Sequence, residues 1–348
     1  MASVSRRKFL ALSGTAAALP LVSSACSPRR AVAPMASGSV AAGPVPSGRA
    51  DAIRTAGCRT VRVDGRYDVW VREVGTGDVP LLSLHGGPGF SHFYLECFED
   101  FLPQAGVRFW YYDQLGCGFS EHPDDASLWT IPRYREEVEQ VRAALGLERF
   151  VLYGHSWGGM LAIEYALAYP QHLTGLVISN MTAGMPSYVK YIETLRSALP
   201  ADTRRVMRQY ESKGEYEAPE YQKILLEQLY AKHVCRLDPW PEPVTRSLRY
   251  LNGQIYNTMQ GPSEFTVTGT FRTWDRWSDL HRIAVPTLLL VGRYDTMSVS
   301  DIRRMSTLIP RARVVVCENG SHLALYDDQQ AYFDALLPFV RDAHRGRA

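Results

Sequence analysis

The 348-residue sequence lacks an excess of charge of either sign: 38 Lys and Arg stand against 36 Asp and Glu, a formal net charge of +2. A chain so balanced presents no basic field to a nucleic-acid backbone and points to a small substrate, uncharged or zwitterionic. Paired cysteines are also missing. Cys58, Cys97, Cys117, Cys235 and Cys317 form no Cys-x-x-Cys pair and have no histidines at zinc-site spacing, so no metal and no cofactor is expected, and buried thiols are. No internal repeat is visible, which removes solenoids and propellers. The N-terminal apolar stretch from Ala11 to Val22 is too short for a good transmembrane span.

What that stretch does have is context. Ser5-Arg6-Arg7-Lys8-Phe9-Leu10 precedes it and small residues around Ala25-Cys26 follow, the order of a twin-arginine export signal over residues 1–33. Export to the periplasm or cell surface is therefore expected. Ser23-Ser24-Ala25 before Cys26 resembles a lipoprotein processing site, although Ser23 stands where such sites usually carry Leu. A lipid anchor at Cys26, simple removal of Cys26 and a free thiol there all stay open. Residues 34–58 continue an Ala-, Ser-, Gly- and Pro-rich stretch and read as a flexible tether.

From residue 59 the pattern is that of a folded domain. Thr60 to Val63 and Tyr67 to Val74 alternate in polarity around Asp64-Gly65, as in a β-hairpin. Pro80–Leu84, Arg108–Tyr112, Phe150–Tyr153, Leu173–Ser179, Thr287–Val291 and Arg313–Val316 are short runs apolar on both faces, which suit buried parallel strands. Helical spacing lies between them over 132–147, 160–169, 300–308 and 329–341. This alternation predicts an α/β architecture, a mostly parallel sheet covered on both faces. Residues 59–182 and 262–348 supply that core. Residues 183–261 hold no buried-strand run and read mainly helical, over 187–199, 220–233 and 243–256. They predict a helical cap above the strand ends, where ligand sites of α/β folds form.

Phe150-Val151-Leu152-Tyr153-Gly154-His155-Ser156-Trp157-Gly158-Gly159 is a strand, a Gly-x-Ser-x-Gly turn and a helix start, in that order. Glycines at 154 and 158 let strand and helix approach around a sharp turn that projects the serine hydroxyl. A serine hydroxyl needs a base to take its proton, and the order serine, acid, histidine is completed downstream. Asp295 follows the strand Thr287–Val291, and His322 lies in the loop after Arg313–Val316. His322 is the expected base, with Asp295 fixing its tautomer. His85 and His155 belong to glycine-rich turns and read as structural, Asp113 sits on an earlier strand and loop, and Asp301 and Asp327 read as solvated helix charges. Leu84-His85-Gly86-Gly87-Pro88-Gly89 follows an early strand, so the N–H groups of Gly87 and Trp157 are the candidate oxyanion donors.

The His85–Gly89 loop, the run Tyr112-Asp113-Gln114-Leu115-Gly116-Cys117-Gly118-Phe119-Ser120 and the serine turn together resemble the proline iminopeptidase family of α/β-hydrolases, over roughly residues 61–341. Gly261-Pro262-Ser263-Glu264-Phe265 further resembles the branch typified by the tricorn-interacting aminopeptidase. That resemblance implies the α/β-hydrolase fold, a serine aminopeptidase acting on short peptides or amino-acid amides, and a role for Glu264 in holding the substrate ammonium. Where the branch has a second Glu after the triad acid, this chain has Thr296. Phe119, Trp157 and Tyr294 are candidates for an apolar pocket around a proline ring. A carboxylesterase or other acyl hydrolase would use the same triad without amine recognition. A binding protein that had lost catalysis would not need all three triad positions filled.

Overall fold

The computed structural model describes residues 56–348. The export signal assigned to residues 1–33, Cys26 within it, and the tether up to residue 55 lie outside the described residues. Regular structure begins one residue earlier than the sequence suggests, with β1 at Cys58–Val63. Ala56 and Gly57 are already tied to the next strand, their carbonyls accepting from the Arg72 side chain at 3.1 Å and the Glu73 N–H at 3.0 Å.

The strands are β1, β2 (Tyr67–Val74), β3 (Val79–Leu84), β4 (Val107–Tyr112), β5 (Phe150–His155), β6 (Leu173–Ser179), β7 (Thr287–Gly292) and β8 (Ala312–Cys317). They form one 8-stranded sheet in the order β1-β2-β4-β3-β5-β6-β7-β8. β2 runs antiparallel to both of its neighbours, and from β4 to β8 in sheet order every pairing is parallel. Every residue of β5, β6 and β7 is buried, as strands covered on both faces require.

Two core helices matter for the site. α1 (Ile131–Ala144) starts at a Thr130 cap and a proline in its first turn, and α2 (Trp157–Ala168) follows β5 directly. α2 is apolar around most of its surface because it is clamped between α1 and the sheet. Between β6 and β7 come helices at Met185–Ser197, Ala201–Glu211, Pro219–Ile224, Glu242–Arg249 and Gly253–Met259. The segment expected as one helix over 220–233 passes through a π-helical turn at Leu225–Tyr230. The segment expected over 243–256 is broken at Asn252, whose side chain accepts from the N–H groups of Gln254 and Ile255 and starts the last of these helices. Among the described residues no helix is long and apolar enough to cross a membrane. Cys97, Cys117 and Cys317 are buried thiols.

Candidate active site

Ser156 sits at the junction of β5 and α2 with φ 54° and ψ −125°, a backbone region that costs about 1–3 kcal/mol and persists only where the surroundings impose it. The surroundings are three glycine contacts. A Cβ on Gly154 would lie 2.1 Å from the Gly158 carbonyl oxygen, and one on Gly158 would lie 2.3 Å from that of Leu84. A Cβ on Gly86 would lie 3.2 Å from the Ser156 Cβ. The turn is held from the other side by the Ser156 N–H, which donates to the Ser179 carbonyl at 2.9 Å.

The loop after β8 brings His322 to the same cavity. Its Nδ1 donates to Asp295 Oδ1 at 2.8 Å, and its Nε2 is buried without a hydrogen-bond partner. Burial pulls the imidazole pKa down, but the Asp295 carboxylate outweighs this and leaves it above the ordinary 6.5. Asp295 is fully buried. Its Oδ2 accepts from Asn180 Nδ2 at 2.6 Å and its Oδ1 from the Met297 N–H at 3.1 Å. Asn180, at the end of β6 with φ 54°, also donates to the Ser321 carbonyl at 3.2 Å, so one amide ties the acid to the histidine loop. The expected Ser156, Asp295 and His322 thus converge, and the orphan Nε2 is the atom a serine proton would reach.

The oxyanion donors can be sorted by what already occupies them. The N–H of Gly86 donates to the Tyr94 hydroxyl oxygen at 2.7 Å, which leaves Gly87 as the loop donor. Gly87 has φ 119°, and a Cβ there would lie 2.7 Å from the nitrogens of Gly89 and Phe90, so only glycine fits. Trp157 is the first residue of α2, where helix geometry leaves its N–H without an intrahelical acceptor.

The cavity has a volume of about 690 Å³ and is bounded by Gly86, Gly87, Ser156 and His322 on the sheet side. Apolar residues of the 225–251 segment, among them Leu225, Trp240, Val244 and Leu248, face them. Glu264 lines the same cavity. Its Oε1 accepts from the Tyr256 hydroxyl at 3.0 Å; the Tyr188 hydroxyl lies 2.5 Å from its main-chain carbonyl and 3.0 Å from its Oε2, and its N–H donates to Tyr230. Burial and the Glu264 charge both push the Tyr188 and Tyr256 phenols well above their usual range, so they stay donors. Among the described residues no Lys or Arg forms an ion pair with Glu264.

Two expected pocket residues lie elsewhere. Phe119 donates its N–H to Asp113 Oδ2 at 2.8 Å and packs its ring among Trp70, His92, Phe93 and Tyr250, away from the cavity lining. Tyr294 is 43% exposed, with the Arg236 guanidinium 3.7 Å from its ring centre; adjacent to Asp295 in sequence, it turns outward where Asp295 turns in. The Trp157 ring is also core, stacked on Phe271 with its Nε1 donating to Gln114. Thr296 is buried, 3.3 Å from both Asp295 Oδ1 and His322 Nδ1, and does not line the cavity. Asp327 is no solvated charge: it accepts from the Ser321 N–H at 2.9 Å and the Arg236 N–H at 3.0 Å, bracing the His322 loop. Sequence reasoning missed Asn180, Tyr188, Tyr256 and the lining carboxylate Glu217. Only Asn180 had a signal, a polar residue ending a buried strand beside the acid's strand.

A parallel sheet, a strained serine between strand and helix, and an acid and histidine on successive later strand ends define an α/β-hydrolase, and the alpha/beta hydrolase fold family matches residues 79–329. Curated relatives narrow the class. The proline iminopeptidase of Flavobacterium johnsoniae is 43% identical over 284 residues, 80% of this chain and 96% of that one. That of Elizabethkingia meningoseptica is 44% identical over 283 residues, 80% and 95% of the two chains. The crystal structure of the Mycobacterium smegmatis proline iminopeptidase superposes with a TM-score of 0.78 at 32% identity, over 84% of this chain and 100% of that one. The chain belongs to the proline iminopeptidase family of α/β-hydrolases.

Proposed function

We propose that this protein is an exported serine aminopeptidase that releases an N-terminal proline or other apolar residue from short peptides or amino-acid amides. Ser156 attacks the acyl carbon while His322 Nε2 takes its proton, and the N–H groups of Gly87 and Trp157 receive the developing oxyanion. His322 then gives the proton to the leaving amine. Water, deprotonated by the same nitrogen, hydrolyses the acyl-enzyme on Ser156. Family membership supports the reaction class.

The observation that carries amine recognition is Glu264, a carboxylate set between the Tyr188 and Tyr256 hydroxyls on the wall of the cavity that Ser156 lines. An ammonium drawn to it supplies the counter-charge and presents the first peptide bond to Ser156. Thr296 is buried against the Asp295–His322 pair and outside the lining, so the amine contact proposed here rests on Glu264. The test is Glu264→Gln assayed on a prolyl arylamide and on a simple acyl ester. kcat/KM on the arylamide is expected to fall about 10- to 100-fold, the worth of one charge-assisted contact, with the ester little changed. An equal loss on both substrates would remove Glu264 from amine recognition.

A further inference from the structure

His155 stands between Gly154 and Ser156, and the mechanism above leaves it unused. It is 2% exposed and Tyr94 is 3% exposed. His155 Nε2 lies 2.8 Å from the main-chain carbonyl of His322, and its Nδ1 lies 3.0 Å from the Tyr94 hydroxyl. The Tyr94 oxygen in turn accepts from the Gly86 N–H at 2.7 Å.

The polarity of these bonds is determined. A carbonyl oxygen only accepts, so His155 Nε2 carries the hydrogen. In a neutral ring Nδ1 is then an acceptor, and it takes the Tyr94 O–H. Burial, with the neighbouring His322 ring adding to it, lowers the His155 pKa to about 3, so the ring stays neutral wherever His322 works as a base. The chain therefore runs Gly86 N–H to Tyr94 O–H to His155 ring to His322 C=O, every donor and acceptor used once. Tyr94 is itself pinned: its N–H donates to Ser247 Oγ on the helix Glu242–Arg249 at 2.9 Å, and its carbonyl accepts from Tyr326 at 2.8 Å.

We propose that Tyr94 and His155 are positioning residues that set the oxyanion loop at a fixed distance from the base, acting through Gly86 at one end and the His322 main chain at the other. Both border the cavity, but neither is hydrogen-bonded to Ser156 Oγ or His322 Nε2. The two groups they join, the Gly87 donor and His322, must meet one acyl carbon from opposite sides, and a misplacement of about 1 Å can cost about 100-fold in rate. This inference rests on the roles given to Gly87 and His322 above.

The test uses Tyr94→Phe, His155→Ala, His155→Gln and the double variant Tyr94→Phe/His155→Ala. Each is assayed for kcat and KM on a prolyl arylamide and on a simple acyl ester, with thermal unfolding alongside. Tyr94→Phe and His155→Ala are expected to lower kcat about 10- to 100-fold on both substrates with KM little changed. The double variant should be no worse than the poorer single one, because the relay is broken once. His155→Gln, whose amide can donate to the His322 carbonyl, should recover part of the loss. If Tyr94→Phe does not fold, the comparison of His155→Gln with His155→Ala carries the same test. A folded single variant with kcat within twofold of the parent, or losses that multiply in the double variant, overturns the proposal. A parent active on the ester and inactive on the arylamide refutes aminopeptidase action while leaving the relay measurable on the ester.

Discussion

His322 is the residue whose environment has the most direct kinetic consequence. Its imidazole must be neutral to accept the Ser156 proton. Burial lowers its pKa, but the Asp295 carboxylate at 2.8 Å outweighs burial and leaves it above the ordinary 6.5. A raised pKa keeps the ring protonated to higher pH, so activity is lost as pH falls through a value above 6.5. Asp295→Asn removes the charge that raises it and leaves burial, which lowers it. The acid limb of kcat/KM should then move to lower pH, and kcat should fall by about 10⁴, as when a serine triad loses its orienting carboxylate. A pH–rate profile of both proteins checks this, and an unmoved limb would count against His322 as the base. The same residue scale explains two misplaced expectations. Phe119 and Tyr294 flank motif residues, but adjacency in sequence says nothing of side-chain direction at a strand end, and both rings turn away from the cavity.

Between elements, the site depends on how closely β5, α2 and the loop after β3 approach. The Gly158 position has no room: a Cβ would lie 2.3 Å from the Leu84 carbonyl oxygen and 2.8 Å from that of His85, backbone atoms that cannot turn aside. Gly158→Val is expected to destabilise the fold by about 3 kcal/mol and to abolish activity, read as a lower unfolding midpoint. Parental stability in the Gly158→Val variant would mean that the turn is looser than described. The parallel strands were legible in the sequence because residues buried on both faces leave unbroken apolar runs, and β6 begins and ends where its run does; β2 was legible from its alternation in polarity. The helix Ala201–Glu211 was not, because Met207 is its one buried residue and most of its remaining surface is polar. The Asn252 break was available in principle, as Asn is a preferred helix N-cap and Asn-Gly marks a turn. Tyr188 and Tyr256 had no signal, since their tie to Glu264 spans 76 and 8 residues and belongs to the tertiary fold.

Over the whole molecule, the folded domain closes a cavity between its sheet and the helices that follow β6, in the part of the chain where the sequence holds no strand run between Ser179 and Thr287. The catalytic constellation was legible because serine, acid and histidine each end a recognisable strand. The tyrosine setting of Glu264 was not. The N-terminal Arg6-Arg7 pair carries the export proposal: replacing both with Lys is expected to hold the protein inside the cell with its activity intact, seen by fractionation, and unchanged export would refute it. All of this presupposes that Ser156 is the nucleophile. The most direct measurement is kcat/KM on a prolyl arylamide for Ser156→Ala, purified beside the parent under identical conditions. A fall of about 10⁴ or more is predicted, as for other serine triads, in a protein that unfolds at the parental temperature; turnover within about tenfold of the parent would contradict it.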